Sequence, residues 1–213
     1  MTESLIKHTS KTVFIMVIFS LMGTLFLAKT YLATKSPIQA SEAAAKMKLF
    51  EQVLPPSEHD NNLLNDVIQV PAGGELNNRE GTKVYIARLN NHATAVILEA
   101  TAQDGYSGDI KLLIAVRKDG SLGGVRVISH KETPGLGDYI DVAHSDWILA
   151  FKNLSLSNPT TDLWKVKKDG GQFDYMAGAT ITPRAVVKAT QRALSYVAQH
   201  QNTLFAETPA NKH

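Results

Sequence analysis

The longest uninterrupted apolar stretch lies near the start of the chain. Residues 12 to 28 carry no charge and sit between Lys11 and Lys29. Val13-Phe14-Ile15-Met16-Val17-Ile18-Phe19 and Leu25-Phe26-Leu27-Ala28 are apolar all the way round a helix, with no polar face to meet water. The run is near the short limit for the ~20 residues that cross a bilayer. Tyr31-Leu32 extend it, and Lys29 can snorkel to the interface. A cleavable signal peptide and a buried core helix are the alternatives. The apolar core exceeds the ~7–15 residues of a signal peptide, and no small-x-small site follows it. The pattern therefore predicts an uncleaved anchor over 12–32, after a tail at 1–11.

The next periodic segment, 41 to 54, predicts a helix with Ser41 as its cap, Glu42 in its first turn and Pro55-Pro56 as its stop. Residues 55 to 82 are rich in Pro, Gly, Asn and Asp, so 33–82 reads as a helix and a surface linker, with room for a short element around Leu63 to Val70. Alternation of period two then begins. Strands are expected at Lys83–Leu89, Ala93–Thr101, Ile110–Val116 and Val125–Ser129, with turns at Asn90-Asn91 and Asp119-Gly120. Links this short make neighbours antiparallel, so the expected sheet is a meander. His144 to Leu154 predicts a short helix with Trp147 and Phe151 on one face. Residues 183 to 200 give the clearest helical period, with Val186, Ala189, Ala193 and Val197 aligned and Lys188, Gln191 and Arg192 opposite. The predicted class is α+β: a single transmembrane helix, then an antiparallel meander packed by helices over 83–200, then a polar, fraying tail at 201–213.

Charge and cysteine usage narrow the chemistry. Beyond residue 32 the chain holds 19 Lys+Arg against 19 Asp+Glu, so the overall excess of +2 belongs to the N-terminal tail. A balanced domain argues against nucleic acid as a partner, since that needs clustered positive charge. The absence of Cys rules out disulfides, thiolate zinc sites and cysteine-ligated iron–sulfur clusters, so redox chemistry would need a bound cofactor.

Candidate chemistry concentrates in Asp174-Tyr175-Met176-Ala177-Gly178-Ala179-Thr180-Ile181-Thr182-Pro183. Thr182 and Pro183 predict a helix start, with Thr182 as N-cap and Pro183 at the first helical position. Gly178 and Ala179 leave little bulk beside Thr180. A helix N-terminus suits a phosphate, so on the residues alone the segment is either a tight turn with its cap or a phosphate seat. Asp174-x-x-Ala177-Gly178-Ala179-Thr180 resembles the flavinylation motif of FMN-binding domains in bacterial respiratory complexes. In that family the final Thr carries FMN through a phosphoester bond. Ala177 stands where the family usually has Ser or Thr, which removes one hydrogen bond to the phosphate.

A second segment, His130-Lys131-Glu132-Thr133-Pro134-Gly135-Leu136-Gly137, resembles the family's Glu-Thr-Pro-Gly-Leu-Gly loop beside the isoalloxazine ring. Read alone it is a rigid Pro-Gly turn with exposed backbone. Gly105-Tyr106-Ser107-Gly108-Asp109-Ile110 and Asp119-Gly120-Ser121-Leu122-Gly123-Gly124-Val125 add to the likeness, which spans about 83 to 200. The resemblance implies covalent FMN on Thr180 and a cofactor site made by Asp174, Ala177, Gly178, Ala179, Thr182, Glu132, Thr133, Pro134, Gly135, Leu136 and Gly137.

Two other patterns carry less. His130-x-Glu132 echoes half of a zinc deaminase signature whose other half needs Cys. Lys165-Val166-Lys167-Lys168-Asp169-Gly170-Gly171 lacks the spacing of a phosphate loop and predicts a charged hairpin, from which a Lys could approach the flavin or its phosphate.

The whole pattern resembles the G-subunit family of Rnf/Rsx-type ion-translocating electron-transport complexes. That likeness implies a single-pass bacterial inner-membrane protein, with its N-terminus cytoplasmic and its FMN domain periplasmic. The positive-inside rule is a weak guide here, because Lys7, His8 and Lys11 before the span face Lys29 and Lys35 after it. The implied role is an electron relay, without catalysis of its own, in a complex linking ferredoxin, NAD and cation transport. The implied partners are the other subunits of that complex, the membrane, and a flavin transferase that installs FMN from FAD. The C-subunit family of the sodium-translocating NADH:quinone reductase shares the motif and is one alternative. An anchored binding module without flavin is another.

Overall fold

The computed structural model of the chain describes residues 2–206, with side chains from Thr9 onward. The described residues fall into two compact units, divided after Lys46. The first is helix α1, Thr2–Val53, up to the division. Its apolar side chains, Phe14, Phe19 and Phe26 among them, are exposed, and none of its most apolar 18-residue window is buried. That excludes the core-helix alternative. α1 is long and apolar enough to cross a membrane. Hydroxyls within the apolar run bond back along the helix, Thr24 to the Ser20 carbonyl (2.8 Å) and Thr30 to the Phe26 carbonyl (2.9 Å), as a hydrocarbon environment requires of polar groups.

Two expectations about this region need correction. Ser41 is not a cap, because α1 runs through it without a break. The flanking residues, Gln39-Ala40 before and Glu42-Ala43-Ala44-Ala45 after, are good helix formers, and the helix also accommodates Pro37. The stop is as expected: the helix ends at Val53, before Pro55-Pro56. The linker is also less superficial than its composition suggested. Leu63, Val70 and Leu76 are buried, and Val67–Val70 forms strand β1.

The second unit is α+β. Strands β1, β2 (Thr82–Leu89), β3 (His92–Ala102), β4 (Ile110–Arg117) and β5 (Leu122–Ser129) form a five-stranded antiparallel sheet in sequence order. The Asn90-Asn91 turn has positive φ at both residues (53° and 66°), as a two-residue hairpin requires. β5 begins at Leu122, not Val125, so Gly123-Gly124 lie within the strand. A Cβ at Gly123 would stand 2.7 Å from the Val53 carbonyl oxygen. Glycine there lets the end of α1 sit directly on the sheet.

Both sheet faces are covered, so the strands are buried nearly throughout. On one face Tyr85, Ala87, Ala95, Ile97, Leu113 and Ala115 meet Phe50, Val53, Leu54 and Leu63. On the other, Val84, Ile86, Val96, Leu98, Leu112, Ile114 and Val116 meet helix α2, Ile181–Gln199, through Val186, Val187, Ala189, Ala193, Leu194 and Val197. The 144–154 segment is a short 3-10 helix, Asp146–Phe151, capped by the Ser145 hydroxyl. Residues 201 to 205 are packed rather than a free polar tail. Gln201–Leu204 form a short helix, α3, and Leu204 and Phe205 are buried in the main core. The rest of the expected tail, 207–213, lies outside the described residues.

Candidate functional site

Two loops and the start of α2 converge on one cleft of about 300 Å³. Glu132, Thr133, Leu136 and Gly137 form one wall, Gly178 and Ala179 the other, with Thr182, Ile181 and Tyr106 completing it. The two motifs, far apart in sequence, are therefore adjacent in space.

The first wall folds around Glu132. The residue is 4% exposed. Oε1 accepts the Ser107 N–H at 2.9 Å, and Oε2 accepts the Thr182 hydroxyl in a short hydrogen bond. Its own N–H donates to His130 Nδ1 at 3.1 Å. Thr133 O then takes the N–H groups of Leu136 (3.1 Å) and Gly137 (2.9 Å), closing the turn, with Gly135 at φ 73°. Gly137 leaves little room for a side chain: a Cβ would stand 3.0 Å from Glu132 Cβ and 3.1 Å from Thr182 Oγ1. Leu136 stays 44% exposed and faces the second loop, since a Cβ on Gly178 would lie 3.8 Å from its Cδ2.

The second wall is a turn from Met176 to Ala179, closed by the Ala179 N–H on the Met176 carbonyl (3.1 Å), with Gly178 at φ 89°. An aromatic cluster carries it. Trp147 Nε1 donates to the Asp174 carbonyl at 2.8 Å, and the Met176 N–H donates to the Tyr139 hydroxyl at 3.3 Å. Burial pushes the Tyr139 phenol up from its ordinary value, and that hydrogen bond pulls it partly back. Tyr139 and Trp147 meet edge to face at 5.6 Å, Trp147 and Phe151 at 5.3 Å, and Phe151 stacks on Phe173 at 4.6 Å.

Thr182 is not the N-cap. The cap position is Thr180, at φ −75° and ψ −25°, and its side chain makes no capping hydrogen bond. Thr182 lies within the first turn of α2, 1% exposed, with its hydroxyl turned to Glu132. That buried charge-assisted bond outcompetes a local cap. Thr180 is half-buried, between two residues that line the cleft. Pro183 lacks an N–H, and the N–H groups of Ile181 and Thr182 have no acceptor one turn earlier in the helix.

Asp174, Ala177, Thr180, Pro134 and Gly135 flank the cleft without lining it. The Asp174 carboxylate is 73% exposed and pairs with Lys167 Nζ at 2.5 Å. Lys167–Asp169 is a 3-10 turn, not a hairpin strand, with Gly170 left-handed at φ 81°. Arg184 reaches Asp169 with two bonds of 2.6 Å, and these hydrogen bonds hold the Asp169 carboxyl below the usual carboxylate range. The basic side chains Lys167 and Arg184 beside the start of α2 are thus already paired. Two lining residues were not singled out from sequence, Tyr106 and Ile181. Tyr106 is 68% exposed, and an aromatic in a Gly-x-x-Gly turn was the available signal. Ile181 follows Thr180 and carried no signal of its own. Among the described residues no group of His, Asp and Glu could hold a metal ion.

Residues 105–195 match the family model described as the FMN-binding domain, which makes the α+β unit a flavin-binding domain by family. Residues 1–53 match the RnfG N-terminal region. The chain is 42% identical over 203 residues to the G subunit of the ion-translocating oxidoreductase complex of Vibrio atlanticus, covering 95% of this chain and 97% of that one. It is 43% identical over 196 residues to the corresponding G subunit of Pseudomonas aeruginosa, 92% of each chain, and 40% identical over 195 residues to that of Aliivibrio fischeri, 92% and 93%. The chain belongs to the G-subunit family of ion-translocating oxidoreductase complexes.

Proposed function

We propose that this protein is a membrane-anchored electron relay whose FMN is bound through a phosphoester to Thr180. The observation that carries the reading is the uncommitted Thr180 hydroxyl at the start of α2, beside the cleft. The residues present fit the group. Leu136, Ile181 and Tyr106 offer apolar surface for a ring. Gly178, in a backbone conformation that side chains resist, keeps the turn before Thr180 low. The free N–H groups of Ile181 and Thr182, with the helix dipole, favour a phosphodiester by ~0.3–1 kcal/mol.

Bound FMN supplies the one- and two-electron chemistry that this cysteine-free chain lacks. The protein's own residues hold and shield the group and move no substrate bond. Attachment is a group transfer made with a separate flavin transferase. Thr180 Oγ1 attacks the FMN-side phosphorus of flavin adenine dinucleotide, the phosphoanhydride bond breaks, AMP leaves with the bridging oxygen, and the hydroxyl proton is released. Lys167 holds Asp174 at the head of the motif, near the surface the transferase must reach.

The partners are the other subunits of the complex named for the relatives. The RnfG-type match over residues 1–53 favours this complex over the sodium-translocating quinone reductase. The N-terminus lies in the cytoplasm and the FMN domain in the periplasm of a bacterial inner membrane, with the span at 12–32, the helix and linker at 33–82 and the flavin domain at 83–200. Intact mass of the full chain expressed with a flavin transferase tests the reading. The expected result is a gain equal to FMN less one water, retained after denaturation. A chain that stays at its unmodified mass while a known acceptor in the same cells is flavinylated would refute covalent attachment.

A further inference from the structure

Glu132 is the only acidic side chain buried among the described residues, and both of its carboxylate oxygens are used within the protein. One holds the Ser107 N–H and the other the Thr182 hydroxyl. Glycine is needed on both sides of it. A Cβ at Gly105 would stand 3.0 Å from Oε1, and one at Gly137 would stand 3.1 Å from Oε2. This is a close-packed lock in which each carboxylate oxygen already has a partner within the protein. What it locks is the second residue of α2.

Thr180 and Thr182 are two hydroxyls at one helix start, and Thr180 already has helical dihedrals. At about 100° per residue, positions two apart do not share a face of a helix, so one partner cannot hold both hydroxyls. With the Thr182 hydroxyl held on Glu132 and the residue 1% exposed, Thr180 is the half-buried one of the two and keeps a hydroxyl unpaired among the described residues. We infer that Glu132 is a positioning residue that selects the flavin acceptor: by holding the Thr182 hydroxyl in the interior it sets the first turn of α2 so that Thr180 is the hydroxyl presented for attachment. This rests on Thr180 being the flavin carrier. It gives Glu132 a role through Thr182, distinct from contact with the ring.

The test is the initial rate of covalent flavin incorporation into the full chain, at fixed flavin transferase and flavin adenine dinucleotide, read by fluorescence after denaturing electrophoresis. Thr182→Val and Glu132→Ala should each slow incorporation about tenfold, since a small displacement of an attacking group costs that much or more. The double variant should be no slower than the slower single, because both break one contact. Glu132→Gln keeps an acceptor for Ser107 and a polar partner for Thr182, and should stay within about threefold of wild type.

Wild-type rates in Thr182→Val, or losses that multiply to about a hundredfold in the double variant, would overturn the inference. If Glu132→Ala does not fold, the contrast between a slow Thr182→Val and a rescued Glu132→Gln decides. The underlying reading fails separately: wild-type flavin mapped to a residue other than Thr180 removes the carrier, whereas flavin on Thr180 with an unaffected Thr182→Val removes only the role of Glu132.

Discussion

The two walls of the cleft are held in opposite ways. The 132–137 wall is built from the inside: Glu132 and Gly137 are buried, and Thr182, Ser107 and His130 converge on one carboxylate and its backbone. The 174–179 wall is hung from outside the cleft. Its residues are exposed up to Gly178, and two hydrogen bonds tie it to the aromatic cluster beneath. The difference matches the two tasks that the proposed function assigns to these walls. A surface that receives a ring must be set beforehand, because ordering it at binding would cost affinity. On the proposed attachment at Thr180, the segment before it would have to be reached by a transferase, and it is exposed on a firm base.

The sharpest way to break the comparison is to remove the base. Phe151 touches Trp147, Trp164 and Phe173 and is fully buried. Phe151→Ala should cost ~3–5 kcal/mol in denaturant unfolding, and should raise amide exchange at 174–179 more than at 132–137. Equal loss of protection in both walls would show that they are one unit. Next in size is Gly137→Ala, which crowds Glu132 and Thr182 and should cost ~1–3 kcal/mol while leaving exchange at 174–179 unchanged. Trp147→Phe keeps the ring packing and deletes the bond to the Asp174 carbonyl. It should cost ~1 kcal/mol and loosen only the second wall, read by proteolysis near Tyr175. Smallest is Lys167→Ala, which breaks an exposed ion pair and should move thermal stability by less than ~0.5 kcal/mol.

Much of the scaffold was legible before folding. Strands β2 to β4 fell within a residue or so of their predicted bounds, because period-two alternation and the Asn90-Asn91 and Asp119-Gly120 turns are local signals. What failed depended on distant partners. The last strand was expected only from Val125, after Gly123-Gly124, because the end of α1 that needs those glycines is distant in sequence. Ser41 read as a cap because nothing local shows that a helix is already running. Thr182 read as a cap because its real partner, Glu132, is fifty residues away. Leu204 and Phe205 read as tail because two apolar residues in a polar segment carry no period. At the site, both motifs were visible, and so was their shared neighbourhood through the family they resemble. The partner of the second threonine was not, since the Thr182 hydroxyl is held by a carboxylate on a distant segment.

The central claim is that Thr180 is the hydroxyl left free and that it carries the flavin. Peptide mass mapping of the flavinylated full chain, alongside Thr180→Val, tests it most directly. The expected result is FMN on the peptide containing Ala177-Gly178-Ala179-Thr180, fragmenting to Thr180, and no covalent fluorescence in Thr180→Val despite an unchanged melting profile. Flavin mapped to Thr182 or to any other residue, or flavin that persists covalently in Thr180→Val, would contradict it.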